Sequence, residues 1–415
     1  MAAPSLALIP SAYKVGKVAS VKPMNGKGDF TFTRNSEATR INENGIIETM
    51  GVDVPRIDHT DGGCPSLLLE PASTNLITYS EDFGATDWVK TNASITTNTT
   101  TSPITSSLTA DTFKKTSAVN TVCEVKQTPY QNTGNHTLSI YIKTIDATSV
   151  LLRLDAAGNS CNSTFTFSTK TFASSGANFV SSSYEELSNG WFKLSLVGNI
   201  TSIAFNSAIT MYSNALGESM YLWGAQLEAL SYATSYIPTD GTAVTRAAEV
   251  CNGAGDASTF NSAEGVLFIE SSLLIDDDSN KYISLTDTAD ENKVQIDFDY
   301  SSSRIQYVVI SDSVVYCNIK LTYVGTNTDK IAVKWKVNDF AIWINGVEVG
   351  TDTSGSAPIS LDTLKFSSSS GGNNFEGNVK QLQVFKTALT DAELIALTSW
   401  SSFTEMATAL KYSIQ

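Results

Sequence analysis

The chain has 415 residues, with 27 Lys and Arg against 42 Asp and Glu, so its formal net charge is −15. An acidic excess of this size opposes binding to nucleic-acid phosphates and to anionic lipid surfaces, and no run of roughly 20 apolar residues could span a bilayer. The length predicts two or three domains, and 41% hydrophobic residues suffice for their cores.

The N-terminal block, residues 1–70, begins without the basic region of a secretory signal, so we expect none. Within it, GDFTFTR (28–34) predicts one strand. The segment ATRINENGIIET (38–49) predicts a hairpin, because Asn44-Gly45 is a strong turn dipeptide. The block contains no Trp and few bulky side chains, too few to form a core alone. We therefore predict that residues 1–70 are an attachment and oligomerisation region.

The strands of this block have apolar faces, such as those of Phe30 and Phe32 or of Ile46 and Ile47. Exposed strand edges invite pairing with other chains. We predict that these faces and edges are buried between copies of the chain in a homo-oligomer.

The rest of the chain is rich in alternating, β-branched and aromatic segments bounded by Gly, Asn, Asp and Ser, a pattern typical of β-sandwiches. It predicts a carbohydrate-binding-module-like jelly roll over 71–250, a Gly-rich linker over 251–258 and a second sandwich over 259–400. In KIAVKWKV (330–337), Ile331, Val333, Trp335 and Val337 share one face of a half-buried strand. The fold class is thus all-β, with N-terminal β-hairpins followed by two jelly-roll sandwiches.

A short C-terminal helix is predicted over TDAELIALTSW (390–400), where Thr390 and Glu393 form a capping box. The tail, 401–415, holds a second short amphipathic stretch, FTEMATALKY (403–412). Helical periodicity is otherwise absent from the sequence, which agrees with the all-β class.

Catalytic chemistry finds little support in the sequence. The cysteines are too dispersed for a metal or redox motif and are predicted to be free thiols; they are Cys64, Cys123, Cys161, Cys251 and Cys317. The two histidines, His59 and His136, lie far apart. Glycoside hydrolysis requires two paired carboxylates, and neither EVKQ (124–127) nor IDFDY (296–300) supplies a fitting pair. We predict no catalytic residues, no cofactor and no enzyme.

Binding residues stay unassigned. Asp276, Asp277 and Asp278, with Asp287 and Asp290 nearby, could offer oxygen ligands to calcium, but their spacing is not that of an EF-hand and favours a solvated acidic turn. Five aromatic residues of the last domain could stack on sugar rings or belong to the core; they are Tyr300, Tyr307, Tyr316, Tyr323 and Trp343. A one-residue change of strand register would exchange these two roles.

Four sequence strings resemble a module of tailed-bacteriophage virion proteins. The first runs from GDFTFTR (28–34) through the hairpin segment, and VPRIDHTDGGCPSLLLEPASTNLITYSEDF (54–83) follows it. NGWFKLSL (189–196) matches the aromatic–basic strand of that module. YLWGAQLEALSYATSYIPTDGTAVTRAAE (221–249) matches its closing strand, in which we expect Trp223 to anchor the inner face beside Gly224.

The last sandwich resembles a laminin-G-like, concanavalin A-type jelly roll. GVLFIESSL (265–273) resembles its opening strand, and KIAVKWKVNDFAIWINGVEV (330–349) its central hairpin, turned at Asn345-Gly346. FEGNVKQLQVFKTALTDAELIALT (375–398) resembles its closing strand and helix. Together the resemblances cover nearly the whole chain.

The resemblance implies a structural protein of a phage particle: a head fibre or capsid decoration protein, or a tail fibre. It implies assembly in the host cytoplasm and incorporation in the virion, contact with other phage structural proteins through the N-terminal region, a homotrimer, and contact with host-surface glycans. The alternatives are a lectin-like carbohydrate-binding module outside a particle and, least favoured, a polysaccharide-degrading enzyme. Head or tail location and the identity of a glycan ligand stay open.

Overall fold

The computed structural model describes residues 1–60, 63–103, 107–117, 121–129, 133–156, 159–202, 206–211, 215–274, 279–299, 303–323 and 327–400. These residues divide into two compact units, each built from separate segments of the chain. Unit 1 comprises 1–35, 50–71 and the residues from 248 onward, and unit 2 comprises 36–49 and 72–247. The predicted stretch 403–412 lies outside the described residues.

Strands dominate all three parts of the chain. The first part forms β1 (Leu6–Leu8), β2 (Tyr13–Lys14), β3 (Lys17–Val18), β4 (Phe30–Thr33), β5 (Ala38–Ile41), β6 (Ile47–Met50), β7 (Arg56–Asp58), β8 (Ser66–Leu69) and β9 (Ser73–Asn75). The middle part forms β10 (Val89–Thr91), β11 (Ala93–Thr101), β12 (Leu108–Lys115), β13 (Cys123–Gln127), β14 (Gly134–Thr144), β15 (Ser149–Ala156), β16 (Asn159–Thr166), β17 (Thr171–Ser175), β18 (Phe179–Glu186), β19 (Phe192–Ile200), β20 (Asn206–Met211), β21 (Ser219–Glu228) and β22 (Val244–Arg246). The last part forms β23 (Val250–Ala254), β24 (Glu264–Leu273), β25 (Lys281–Thr286), β26 (Lys293–Asp299), β27 (Arg304–Ser311), β28 (Val314–Thr322), β29 (Asp329–Lys336), β30 (Phe340–Ile344), β31 (Val347–Asp352), β32 (Thr363–Lys365) and β33 (Gly377–Phe385). A short 3-10 turn covers Ser188–Gly190, and the α-helix α1 covers Asp391–Ser399.

Unit 1 is a β-sandwich of two large sheets. One has the order β31-β30-β29-β24-β33-β8-β7, with β1 also paired to β33, and the other has the order β2-β3-β4-β23-β32-β25-β26-β27-β28. Apolar side chains of both sheets meet in one buried core, which contains Leu267 and Ile269 from the first sheet and Ile283 and Ile296 from the second. Alternating apolar residues on facing strands explain this packing.

The helix α1 covers the outer face of the first sheet of unit 1. Leu394 and Leu397 of the helix pack there with Phe268 and Trp343. At its start, the backbone N–H of Thr390 donates to the carboxylate of Glu393 at 2.9 Å, which confirms the predicted capping box. No helix among the described residues is both long and apolar enough to traverse a bilayer.

Unit 2 is also a β-sandwich. Its sheets have the orders β10-β13-β20-β15-β16-β17 and β11-β12-β21-β14-β19-β18. Val125 and Leu152 of the first sheet share a core with Leu138 and Leu222 of the second. The all-β class with sandwich domains is therefore confirmed.

The predicted hairpin over 38–49 is present as β5 and β6, which pair with each other. Its turn is closed by a hydrogen bond from the Asn42 N–H to the Ile46 carbonyl, with Gly45 at a φ of 72°. The second predicted turn is confirmed as well, because Asn345 and Gly346 have φ values of 49° and 84° between β30 and β31.

The division of the chain differs from the predicted boundaries at residues 70 and 250. The N-terminal strands are integral to unit 1, since Phe32 lies opposite Cys251 in the β4–β23 pair and Leu8 lies opposite Leu382 in the β1–β33 pair. Hydrophobic alternation marks a strand but carries no information about its distant partner. The sequence pattern therefore places these strands in a separate region, although they pair with strands from the other end of the chain.

The apolar faces on which the oligomer prediction depends are covered within the chain. Phe30 and Phe32 are fully buried in the core of unit 1, and Ile47 is 4% exposed, whereas Ile46 is 41% exposed. The prediction that Phe30, Phe32 and Ile47 are buried between copies of the chain is therefore wrong. The homotrimer stays a prediction that rests on the phage resemblance alone.

A buried ionic network ties the N-terminal segments to the rest of unit 1. Glu249 accepts hydrogen bonds from Arg34 Nη1 at 2.7 Å and from Arg56 Nε at 2.8 Å, and Arg56 Nη1 donates to Glu70 at 2.7 Å. Burial alone disfavours the charged guanidinium, but Glu249 and Glu70 outweigh it and hold the pKa of Arg56 above its usual value. All four residues belong to the strings that carry the phage resemblance.

Candidate functional site

The candidate site is a pocket in unit 2, between the hairpin β5–β6 and the outer face of the sheet that contains β21. We call it the Glu81 pocket. It has a volume of about 160 Å³, and its lining residues are Thr39, Ile47, Thr49, Glu81, Ser102, Thr109, Trp223, Tyr236 and Pro238. The volume corresponds to roughly five water molecules, which is smaller than a site for a drug-sized ligand.

Two aromatic rings, Trp223 and Tyr236, line the pocket, and a third, Tyr141, packs against them. Trp223 and Tyr236 lie 4.5 Å apart between ring centroids, and Tyr141 packs edge-on against Trp223 at 5.3 Å. Trp223 is buried, but it belongs to this outer-face cluster with Ile47 and Trp191. The prediction that Trp223 anchors the inner face is therefore wrong.

A β-bulge in β21 creates the wall. The register of β14 against β21 shifts between Ser139 and Tyr141, so that Gly224 becomes an extra residue in the strand. Gly224 has a φ of 63°, and a Cβ there would lie 2.9 Å from the Tyr141 ring. Glycine is required at this position, because any side chain would be strained at this positive φ and would lie too close to the Tyr141 ring. The bulge also sets Trp223 against Tyr236.

Glu81 supplies the charge of the pocket. Its two carboxylate oxygens accept hydrogen bonds from Trp223 Nε1 at 3.1 Å and from the Tyr236 hydroxyl at 3.0 Å. Burial raises the pKa of Glu81, and these two hydrogen bonds oppose that rise. Each oxygen of a carboxylate has two acceptor positions, so Glu81 can accept further hydrogen bonds from a ligand.

Hydroxyl groups also belong to the lining of the pocket. Thr49 and Thr109 line it, and Thr39 is anchored by donation from its hydroxyl to the Tyr236 carbonyl at 2.6 Å. Ser80, next to Glu81 in the chain, shares a 2.7 Å hydrogen bond with the Tyr236 hydroxyl. The pocket therefore offers one negative acceptor, several neutral hydroxyls and an apolar wall.

Buried polar side chains hold the segments that carry the pocket. Asn75 donates from Nδ2 to the carbonyls of Ala225 and Ile237, at 3.1 and 2.8 Å, and its Oδ1 accepts from the Leu227 N–H. Glu228 accepts from the Ser73 hydroxyl at 2.6 Å. These residues come from the strings that resemble the phage module, so much of that resemblance reflects the architecture around the pocket.

The aromatic candidates of the last domain do not form a binding platform among the described residues. Tyr307 is fully buried and donates to the Lys334 carbonyl at 2.7 Å, and Trp343 is 4% exposed beneath α1. Tyr323 is half-buried and donates to Asp329 at 2.8 Å, and Tyr316 is half-buried on β28. Tyr300 lies outside the described residues.

The calcium candidates Asp276, Asp277 and Asp278 lie outside the described residues. Of their neighbours, Asp287 accepts from the N–H groups of Glu291 and Asn292, and Asp290 pairs with Lys293 at 2.9 Å. The described part of the chain holds no group of three or more His, Cys, Asp or Glu residues suited to a metal ion. The calcium site stays untested.

The other candidate groups are dispersed or structural. Glu124 pairs with Lys126 at 2.8 Å, and Asp299 pairs with Arg304. Burial and the neighbouring Asp299 raise the pKa of Asp297 to about 6. All five cysteines are free thiols, with Cys64 exposed and the other four buried. None of these groups lines the Glu81 pocket.

Comparisons with known proteins give no family for the chain. No family model matches it, and no curated protein matches it. Among solved structures, it is similar to the CBM40 of the Ruminococcus gnavus IT-sialidase, with 16% identity and a TM-score of 0.30 over 35% of this chain and 93% of that one. It is also similar to domains LG4-5 of the mouse laminin alpha1 chain, with 10% identity and a TM-score of 0.24 over 64% of this chain and 88% of that one. A Trypanosoma rangeli sialidase shows 8% identity and a TM-score of 0.28 over 70% of this chain and 60% of that one. Such TM-scores are too low to decide function, and the fold class follows from the sheets described above.

Proposed function

We propose that this chain is a non-catalytic structural protein displayed on a tailed-bacteriophage particle, as a head fibre, capsid decoration or tail fibre. We further propose that its Glu81 pocket binds a neutral sugar residue of a surface glycan. The observation that carries the binding proposal is the Glu81 carboxylate, held against Trp223 and Tyr236 with hydroxyl groups in the same lining.

The chemistry of the pocket favours a neutral, hydroxylated ligand. A sugar hydroxyl can donate to Glu81 and accept from Thr49 or Thr109. An anionic ligand would face the Glu81 charge at close range and is disfavoured. Because the pocket is small, it fits one terminal sugar residue better than the interior of a chain.

The test of binding uses the full chain on an array of neutral glycans, followed by titration calorimetry with the best ligand. Glu81→Gln replaces an acceptor oxygen with a donor and should weaken binding about tenfold or more. Glu43→Gln, on the exposed turn of the same hairpin but outside the lining, is the matched control and should bind normally. An absence of glycan binding, or equal affinity of Glu81→Gln and the unmodified chain, would refute the proposal.

The sequence strings that resemble the phage module support the placement of the chain on a particle. Purification of phage particles tests it. The chain should be found at high copy number in purified particles, and light scattering on the free chain should give the mass of a trimer. A chain that binds glycans but is missing from particles would favour the lectin-like alternative outside a virion.

The non-catalytic part of the proposal is supported by the lining of the pocket. Glu81 is the sole carboxylate among the described lining residues, whereas glycoside hydrolysis requires two. Incubation with a bound oligosaccharide should therefore release no reducing ends. Any turnover that Glu81→Gln abolishes would establish the enzyme alternative.

A further inference from the structure

Unit 1 contains a second cavity, with a volume of about 350 Å³. Three lysines, Lys22, Lys27 and Lys386, line it, together with polar groups that include Asn25, Ser258 and Thr259. We call it the lysine cavity. No carboxylate lines it among the described residues, although the chain as a whole has a net charge of −15.

The positive charge of this cavity is only partly compensated. Lys27 pairs with Asp256 at 2.7 Å, and Asp256 also accepts from the hydroxyls of Ser258 and Thr259 at 2.6 and 2.9 Å. Lys386 donates to the Ser258 carbonyl, which carries no net charge. Lys22 is exposed and has no ion pair with a described residue. The three lysine ammonium groups are thus offset by one carboxylate, that of Asp256, which leaves a local excess of about two positive charges.

A local excess of this kind attracts an anionic group. Lysine binds carboxylate, sulfate and phosphate as a mobile point charge, and three ammonium groups around one cavity repel each other until an anion neutralises them. Because the chain as a whole has a net charge of −15, a cluster of three lysines is a distinct target for a negative ligand.

The size and the polar lining indicate more than a bare inorganic ion. A volume of about 350 Å³ corresponds to roughly twelve waters and falls within the range of small-molecule sites. Asn25 Nδ2 can donate, and the hydroxyl oxygens of Ser5, Ser258 and Thr259 retain acceptor positions for ligand hydroxyls. These groups fit the hydroxylated body of a sugar that bears an anionic group.

We propose that the lysine cavity is a second binding site, specific for a carboxylated sugar residue, whose carboxylate lies between Lys22 and Lys386. This site belongs to the other compact unit and has the opposite charge preference to the Glu81 pocket. It does not depend on the proposed function, because its ligand, its residues and its test are separate.

The experiment titrates the full chain with a short galacturonate oligosaccharide, with the matching neutral galactose oligosaccharide, and with inorganic phosphate as a competitor. We expect the galacturonate to bind, the neutral oligosaccharide not to bind, and affinity to fall as salt rises from about 20 to 150 mM. Phosphate should displace the galacturonate only at high concentration, since it lacks the hydroxylated body.

Variants locate the site. Lys22→Gln and Lys386→Gln should each weaken galacturonate binding about tenfold. Lys336→Gln removes the same charge from an exposed surface pair of unit 1, with Glu264 at 3.1 Å, and should bind normally. Glu81→Gln should also bind normally, which separates this site from the Glu81 pocket.

Three results would overturn the proposal. The first is galacturonate affinity unchanged in both Lys22→Gln and Lys386→Gln. The second is equal binding of the neutral oligosaccharide. The third is phosphate binding as tight as that of galacturonate, because the cavity would then recognise a bare anion and not a sugar.

Discussion

Replacement of Glu249 by glutamine should destabilise unit 1 strongly. Its carboxylate accepts four hydrogen bonds, from Arg34 Nη1, Arg56 Nε, Arg56 Nη2 and the backbone N–H of Glu70, at 2.5 to 2.9 Å. Both arginine side chains and Glu249 itself are fully buried. Solvent therefore cannot replace a lost partner.

The magnitude follows from the geometry. Glutamine retains one acceptor oxygen and presents an NH₂ group in place of the other, so about two of the four donors lose their acceptor. Charge-assisted hydrogen bonds contribute about 1.5–3 kcal/mol each, which gives about 3–6 kcal/mol. Removing one partner of a buried ion pair costs about 3–5 kcal/mol, in agreement. We expect the free energy of unfolding of unit 1 to fall by about 3–5 kcal/mol.

Hydrogen exchange read by mass spectrometry is the suitable assay, because it reports on each unit separately, whereas bulk unfolding of two units is not a two-state process. Protection should fall in peptides that cover Phe30–Thr33 and Val250–Ala254, and should be retained in unit 2. The control, Glu264→Gln, breaks an exposed ion pair in unit 1 and should cost less than about 1 kcal/mol. A loss below about 1 kcal/mol in Glu249→Gln would refute the reasoning.

Three further predictions concern the sandwiches. Gly224→Ala should destabilise unit 2 by about 1–3 kcal/mol, because its Cβ would lie 2.9 Å from the Tyr141 ring; unchanged protection of β21 peptides would contradict this. Burial raises the pKa of Asp111 to about 6, so between about pH 4 and 6 the folded state holds a proton that the unfolded chain does not. Relative to Asp111→Asn, the free energy of unfolding of unit 2, read from hydrogen exchange corrected for the intrinsic exchange rate, should therefore rise by about 1–3 kcal/mol as pH falls from 7.5 to 4.5, and a constant difference would count against the shift. A fragment of residues 259–400 should fail to fold cooperatively, because it lacks β1, β4, β8 and β23; a soluble fragment with a sharp unfolding transition would restore the predicted boundary.

Local features were predictable because each depends on a few adjacent residues. The Asn44-Gly45 and Asn345-Gly346 turns and the Thr390 cap are of this kind. In β29, Ile331, Val333 and Trp335 share the core face as predicted, but Val337 lies beyond the strand and is 55% exposed. The opposite face of β29 is partly buried as well, since Ala332 packs with Leu394 of α1.

The Glu81 pocket could not be predicted, because its walls come from distant parts of the chain. Thr39 and Tyr236 are joined by a hydrogen bond across 197 residues, and Glu81 and Trp223 across 142. No periodicity links such positions. The one available signal was indirect: Glu81, Trp223 and Tyr236 all lie within the strings that resemble the phage module.

The pairing of β1 with β33 has a consequence for synthesis on the ribosome. The Ser5 hydroxyl donates to the Val384 carbonyl, a partner 379 residues later in the chain. At about 5–20 residues per second, translation of that interval takes about 20–75 s. During this time β1 lacks its partner β33, and β4 pairs only with β3 until β23 has been synthesised, while the whole of unit 2 emerges and can fold. The first sheet of unit 1 is therefore completed only after β33 has emerged, and β1 must be kept from aggregating on the nascent chain until then.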